Sequence, residues 1–155
     1  MKLAEKNPAI ELLEKFVKAY NHRHMKEALS VFSTRHKVLL IGTGVDEVRQ
    51  NLDEIQLQIE RDWAQSESNI LTRVSDYITS GKPCCWADAT YKATFVIDGK
   101  THVAPHLRGS IYCSEEEDGW KVTHMHCSFP HLSESKTSSF PTTTVQETPL
   151  SQLIL

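Results

Sequence analysis

The chain carries no basic excess. Lys and Arg total 17 against 20 Asp and Glu, a formal charge of -3 at pH 7. Phosphate backbones select for surplus cations, so nucleic acid is not an expected partner. No apolar run approaches the length of a membrane span, and the stretch from Met1 to Asn7 lacks the apolar core of a secretion signal. A membrane partner is therefore not expected, and the expected address is the cytoplasm. There is also no CxxC pair. The four cysteines, Cys84, Cys85, Cys113 and Cys127, read as small buried thiols rather than a disulfide framework or a metal set. What remains is 155 residues with 39% hydrophobic content, enough for a single core that removes about two thirds of the unfolded surface from water.

Asn7 followed by Pro8 supplies a cap and a first-turn proline. Ile10, Leu13, Phe16, Val17 and Tyr20 then recur at helical spacing, so a first helix is expected to end near Asn21. Met25, Ala28, Leu29 and Phe32 give a second, shorter helix. Lys37 to Ile41 reads as a strand closed by Gly42 and Gly44. Asn51 with Glu54 three residues on resembles a capping box, and Leu52, Ile55, Ile59 and Trp63 form the buried stripe of a third helix, with Asp62 beside it.

After Glu67 the period falls to two. Four strand-like stretches, Asn69 to Ser80, Cys84 to Ile97, Lys100 to Cys113 and Trp120 to Pro130, are broken at Gly81-Lys82-Pro83, Asp98-Gly99 and the acidic Glu115-to-Gly119 turn. Helices first and a meander of antiparallel strands afterwards predict an α+β domain with three helices packed on one face of the sheet. From residue 133 the composition turns to Ser, Thr and Pro. Residues 1–132 are the expected domain, and 133–155 an expected tail, flexible or docked on a neighbouring subunit.

Three patterns in this order resemble the SnoaL-like branch of the nuclear-transport-factor-2-like superfamily: VLLIGTGVDE at 38–47, Trp86-Ala87-Asp88, and WKVTHMHCSFP at 120–130. The last is also similar to the final strand of the association domain of calcium/calmodulin-dependent kinase II. The resemblance implies a cone, with helices closing one side of a strongly bent sheet, a pocket at the open end, and homodimers through the sheet. The superfamily holds isomerases, cyclases, dehydratases and pure binding or assembly modules, so the fold does not choose a function. The kinase resemblance further implies that pocket positions fall at Thr90, Arg108 and Cys127.

Side-chain parity decides which residues reach such a pocket. A three-residue Ile97-Asp98-Gly99 loop puts Asp88, Thr90 and Lys92 on one face with His106, Arg108 and Tyr112. A two-residue Asp98-Gly99 turn puts Arg108 beside Ala89 and Tyr91 instead. Arg108, mid-strand, needs an acid or an anionic ligand, and internal pairing with Asp88 is the structural alternative. Asp88 is a candidate general base, and His126 could join it for proton transfer beside a carbonyl. His124 and His126 could share a metal only with a third ligand such as His106, and neither a metal nor an organic cofactor is expected. Trp63 reads as a pocket wall or core plug. Asp46 and Glu47 read as solvated turn residues, and Gly42-Thr43-Gly44 lacks the rest of a phosphate cradle. Two functions follow as expectations. One is a small-molecule-binding or assembly module, homodimeric, taking an organic ligand, an anion included, through Arg108, Thr90, Trp63, Tyr112 and Cys127. The other is an isomerase or cyclase using Asp88 or His126.

Overall fold

The computed structural model describes residues 7–79 and 85–130. The break at Gly81-Lys82-Pro83, Cys84 and the Ser/Thr/Pro-rich segment 133–155 lie outside the described residues.

Helix α1 spans Pro8–Asn21, with the Asn7 side chain accepting the amides of Ala9 and Ile10 and proline in the first turn. Helix α2 is the five residues Met25–Leu29. Helix α3 spans Leu52–Ala64, where Asn51 accepts the Glu54 amide and the Glu54 carboxylate reaches back to the Gln50 amide at 2.7 Å. Leu13, Phe16, Ala28, Ile55 and Ile59 are the buried stripes that hold these helices to the sheet.

Strands β1 (Leu39–Ile41), β2 (Val48–Arg49), β3 (Ser68–Arg73), β4 (Ile78–Thr79), β5 (Trp86–Ile97), β6 (Lys100–Glu116) and β7 (Gly119–Ser128) form one curved, open sheet. Its order is β2-β1-β7-β6-β5-β3, with β4 also on β5. All neighbours are antiparallel except β1 and β7. The α+β expectation therefore holds, with helices on one face of a mainly antiparallel sheet.

The β5–β6 turn is the two-residue form. Ile97 pairs with Lys100, and Asp98 and Gly99 take φ of 50° and 68°, the left-handed pair a tight hairpin needs. That turn alone would set Arg108 opposite Ala89. A β-bulge intervenes, because Tyr91 pairs with Leu107 while Ala93 pairs with Ala104. Pro105, which has no N–H to give the ladder, and His106, at φ 62°, supply the extra residue. Thr90 thus pairs with Arg108 and Asp88 with Ser110 after all. A second bulge at Thr123 separates the Tyr112–His124 and Cys113–Val122 pairs. It lets Val122 and Met125, three residues apart, both point into the core.

Candidate functional site

Alternation along β5 buries Ala87, Ala89, Tyr91 and Ala93 beneath the helices, and along β6 Leu107, Gly109, Ile111 and Cys113. Small residues dominate where helices approach closely. Trp86, Asp88, Thr90, Arg108, Ser110 and Tyr112 consequently fall on the other, outer face. This corrects the expected pocket set. Arg108, Tyr112 and His126 are exposed on the outside of the sheet, and Thr90 and Asp88 stand beside them. Asp88 accepts a hydrogen bond from the Ser110 hydroxyl rather than pairing with Arg108. Ser110 also lies between Asp88 and His126 in the sheet, two strand spacings that put their backbones roughly 10 Å apart. His124 and His126 stack edge to face at 6.4 Å, with Tyr112 5.9 Å from His124. Among the described residues no three His, Cys, Asp or Glu side chains gather as a metal-ligand set. His106 belongs to the bulge and is exposed.

The cavity lies on the helix side. It measures about 350 Å³ and opens between α1, α3, the β1–β2 turn and the inner sheet face, at the lower end of the range typical of small-molecule sites. Leu40, Ile59, Phe95, Leu107 and Met125 are among its apolar wall residues. Cys127 is among its lining residues, its thiol pushed up to about 12 by burial and by the nearby Asp62 and Glu47 charges. Trp63 does not reach the cavity wall. It packs behind Tyr20, ring centroids 5.9 Å apart, with its indole N–H buried and without a partner among the described residues.

One end of the cavity is polar. Tyr20, in the last turn of α1, donates to Asp62 Oδ2 at 3.0 Å and accepts from the Asn69 amide at 3.0 Å. The neighbouring Asn21 fixes that geometry, exchanging hydrogen bonds with both backbone groups of Leu71 on edge strand β3. Gln58, one turn before Asp62 on α3, donates to Asp62 Oδ1 at 2.8 Å and to Glu47 Oε1 at 3.1 Å. Glu47 is no solvated turn residue. It folds back under the Gly42–Gly44 turn, accepts the Gly44 amide at 2.9 Å and pairs with Arg61 at 2.7 Å. Any Cβ at Gly42 would stand 2.1 Å from Glu47 Oε2.

Charge is unevenly settled here. Arg61 grips Asp46 at 2.6 Å as well as Glu47, and Arg49 approaches Asp46 at 3.7 Å. Burial opposes ionisation of Glu47, but the Gly44 amide, Arg61 and Gln58 outweigh it and hold its carboxyl below the ordinary range. Among the described residues the donors to Asp62, Tyr20 and Gln58, are neutral. Burial, supported by the Glu47 charge, therefore lifts its carboxyl above the ordinary value despite Gln58 and Tyr20. The Tyr20 hydroxyl is raised in turn, chiefly by burial and then by Asp62, and stays a donor. Asp62 was visible in the sequence only as a carboxylate beside an apolar helix stripe, and that position on α3 was the one signal for it.

Helices over one face of a bent open sheet, with a cavity between, define a cone-like α+β fold. The SnoaL-like domain family model matches residues 10–131, and the chain belongs to that family. No match was found among curated proteins. Solved structures share the fold at low identity. A proposed aromatic ring hydroxylase from Novosphingobium aromaticivorans is 17% identical at a TM-score of 0.68, covering 83% of this chain and 92% of its own. A proposed polyketide cyclase from Pseudomonas putida KT2440 is 16% identical at 0.60, covering 80% and 92%. A proposed calcium/calmodulin-dependent kinase II association domain from Thiobacillus denitrificans is 15% identical at 0.59, covering 78% and 94%.

Proposed function

We propose that this domain binds a small, mostly apolar molecule whose hydrogen-bond-donating end, a hydroxyl or a protonated amine, meets Asp62. The observation that carries this reading is the state of Asp62, a carboxylate at the end of an apolar cavity with neutral donors and, among the described residues, no arginine partner. An anionic ligand had depended on Arg108 lining the pocket. With Arg108 outside, the charged residues lining the cavity among those described are Glu47 and Asp62, and both repel an anion. Calorimetry with three matched probes tests the sign of charge: phenethylamine, phenethyl alcohol and phenylacetate. The first two should bind and weaken in Asp62→Asn. Equal or tighter binding of phenylacetate would refute the reading.

A second reading is supported by the raised carboxyl of Asp62 beside the protonated Tyr20. In an isomerase or cyclase, Asp62 rather than Asp88 or His126 would move the proton. Deuterium incorporation next to the carbonyl of an apolar ketone in heavy water, abolished by Asp62→Asn, would support it, and equal exchange by the variant would dismiss it. We also infer a homodimer through the outer sheet face, where Tyr112 keeps 52% of its surface exposed beside His124. Light scattering should give twice the chain mass, and half of that for Tyr112→Asp.

A further inference from the structure

Gln58, only 4% exposed, sits between two carboxylates. Its amide hydrogens go to Glu47 and Asp62, while its carbonyl accepts from Arg49 Nη2 at 2.7 Å. Turned over, the amide would set its oxygen against both carboxylates and its hydrogens against a guanidinium. Electrostatics therefore fix its direction as well as its position.

We propose that Arg49, which touches neither the cavity nor Asp62, is a positioning residue that locks the Gln58 amide so that it presents its hydrogens to Asp62. The inference rests on Asp62 being the functional group of the cavity. Arg49 reaches its place because β2 pairs with β1 and its other guanidinium nitrogen is held by the Asp46 carbonyl at 2.6 Å. A change in the β1–β2 hairpin is thereby transmitted to a carboxylate on α3. Of the groups that set the acidity of Asp62, Gln58 is the largest that favours the charged form, ahead of Tyr20 and Arg61, while burial and Glu47 oppose it. Cys127 also faces Asp62 from β7.

The test is the titration of the Asp62 carboxyl carbon by NMR in protein labelled with carbon-13 aspartate, its signal assigned by loss in Asp62→Asn. Gln58→Met should move the midpoint upward, and Arg49→Met should move it upward by a smaller amount. In the Gln58→Met background, Arg49→Met should add nothing, because its route to Asp62 has been removed. An unchanged midpoint in Arg49→Met, or an equal shift in both backgrounds as a plain charge effect would give, overturns the proposal. If Arg49→Met does not fold, Arg49→Gln reads the same midpoint. No ligand is needed, so failure of phenethylamine to bind would sink the binding reading and leave this result standing.

Discussion

Gly42→Ala is a substitution whose sign should depend on one other residue. Gly42 has ordinary negative-φ backbone, so alanine there meets no conformational penalty and would normally stabilise by about 0.4–1 kcal/mol through the unfolded chain. Its Cβ, however, would lie 2.1 Å from Glu47 Oε2 and 2.8 Å from Glu47 Cβ. The second distance cannot be relieved by swinging the carboxylate alone, so Glu47 must leave. Departure breaks its bonds from the Gly44 amide and Gln58 and its pair with Arg61. The two hydrogen bonds are worth roughly 1–1.5 kcal/mol each, and the partly exposed ion pair roughly 0.5. Setting the alanine gain against these losses leaves a net cost of about 2 kcal/mol, and thermal unfolding should fall by roughly 4–8 °C. In a Glu47→Gly background both contacts are gone, and Gly42→Ala should raise stability by about 0.4–1 kcal/mol. Urea unfolding of the four proteins of this cycle measures both numbers. If the cost of Gly42→Ala is the same with and without the Glu47 side chain, the account of the turn as a seat for that carboxylate is wrong.

Acid stability offers a second check. Asp62, raised in the fold, binds its proton more tightly native than unfolded, so its contribution falls as pH climbs from 3.8 through its native value. The stability of the native protein relative to Asp62→Asn should decline over that window and then level off, and a flat difference from pH 3 to 7 would contradict it. Glu47 is lowered, so its contribution is full above 4.5 and is lost as pH falls through its native value. Glu47→Gln should therefore cost more at pH 7 than at pH 3. Cys127, pushed up to about 12 against a reference of 9.0, holds about a thousandfold less thiolate at neutral pH than an ordinary cysteine. Its alkylation by iodoacetamide, followed by mass spectrometry, should await unfolding. Arg108→Ala, on the outer face, should leave phenethylamine binding within about twofold, and a larger loss would return Arg108 to the site.

The helices were legible because each announces itself locally. Asn7-Pro8 and Asn51 mark two starts, and the apolar stripes of α1 and α3 need no partner to be recognised. Strand parity is different, since it depends on where pairing begins and on every residue that later slips out of the ladder. The expected pairing of Thr90 with Arg108 emerged, but through a two-residue turn and a compensating bulge rather than through the three-residue loop. Pro105 was the available signal, a residue that cannot donate in mid-strand. Which face lies inward is a separate question, and the charged alternates Asp88 and Arg108 are a poor guide to it. The inner face must accept the helices, so the better guide is the alternating set Ala87, Ala89 and Ala93, whose small side chains leave room for them. The same argument shows why the Asp62 site escaped a strand-based reading. Its polar groups come from α1, α3, β3 and the turn after β1, four segments that meet only once the sheet has curved beneath the helices, and no spacing along the chain records that meeting.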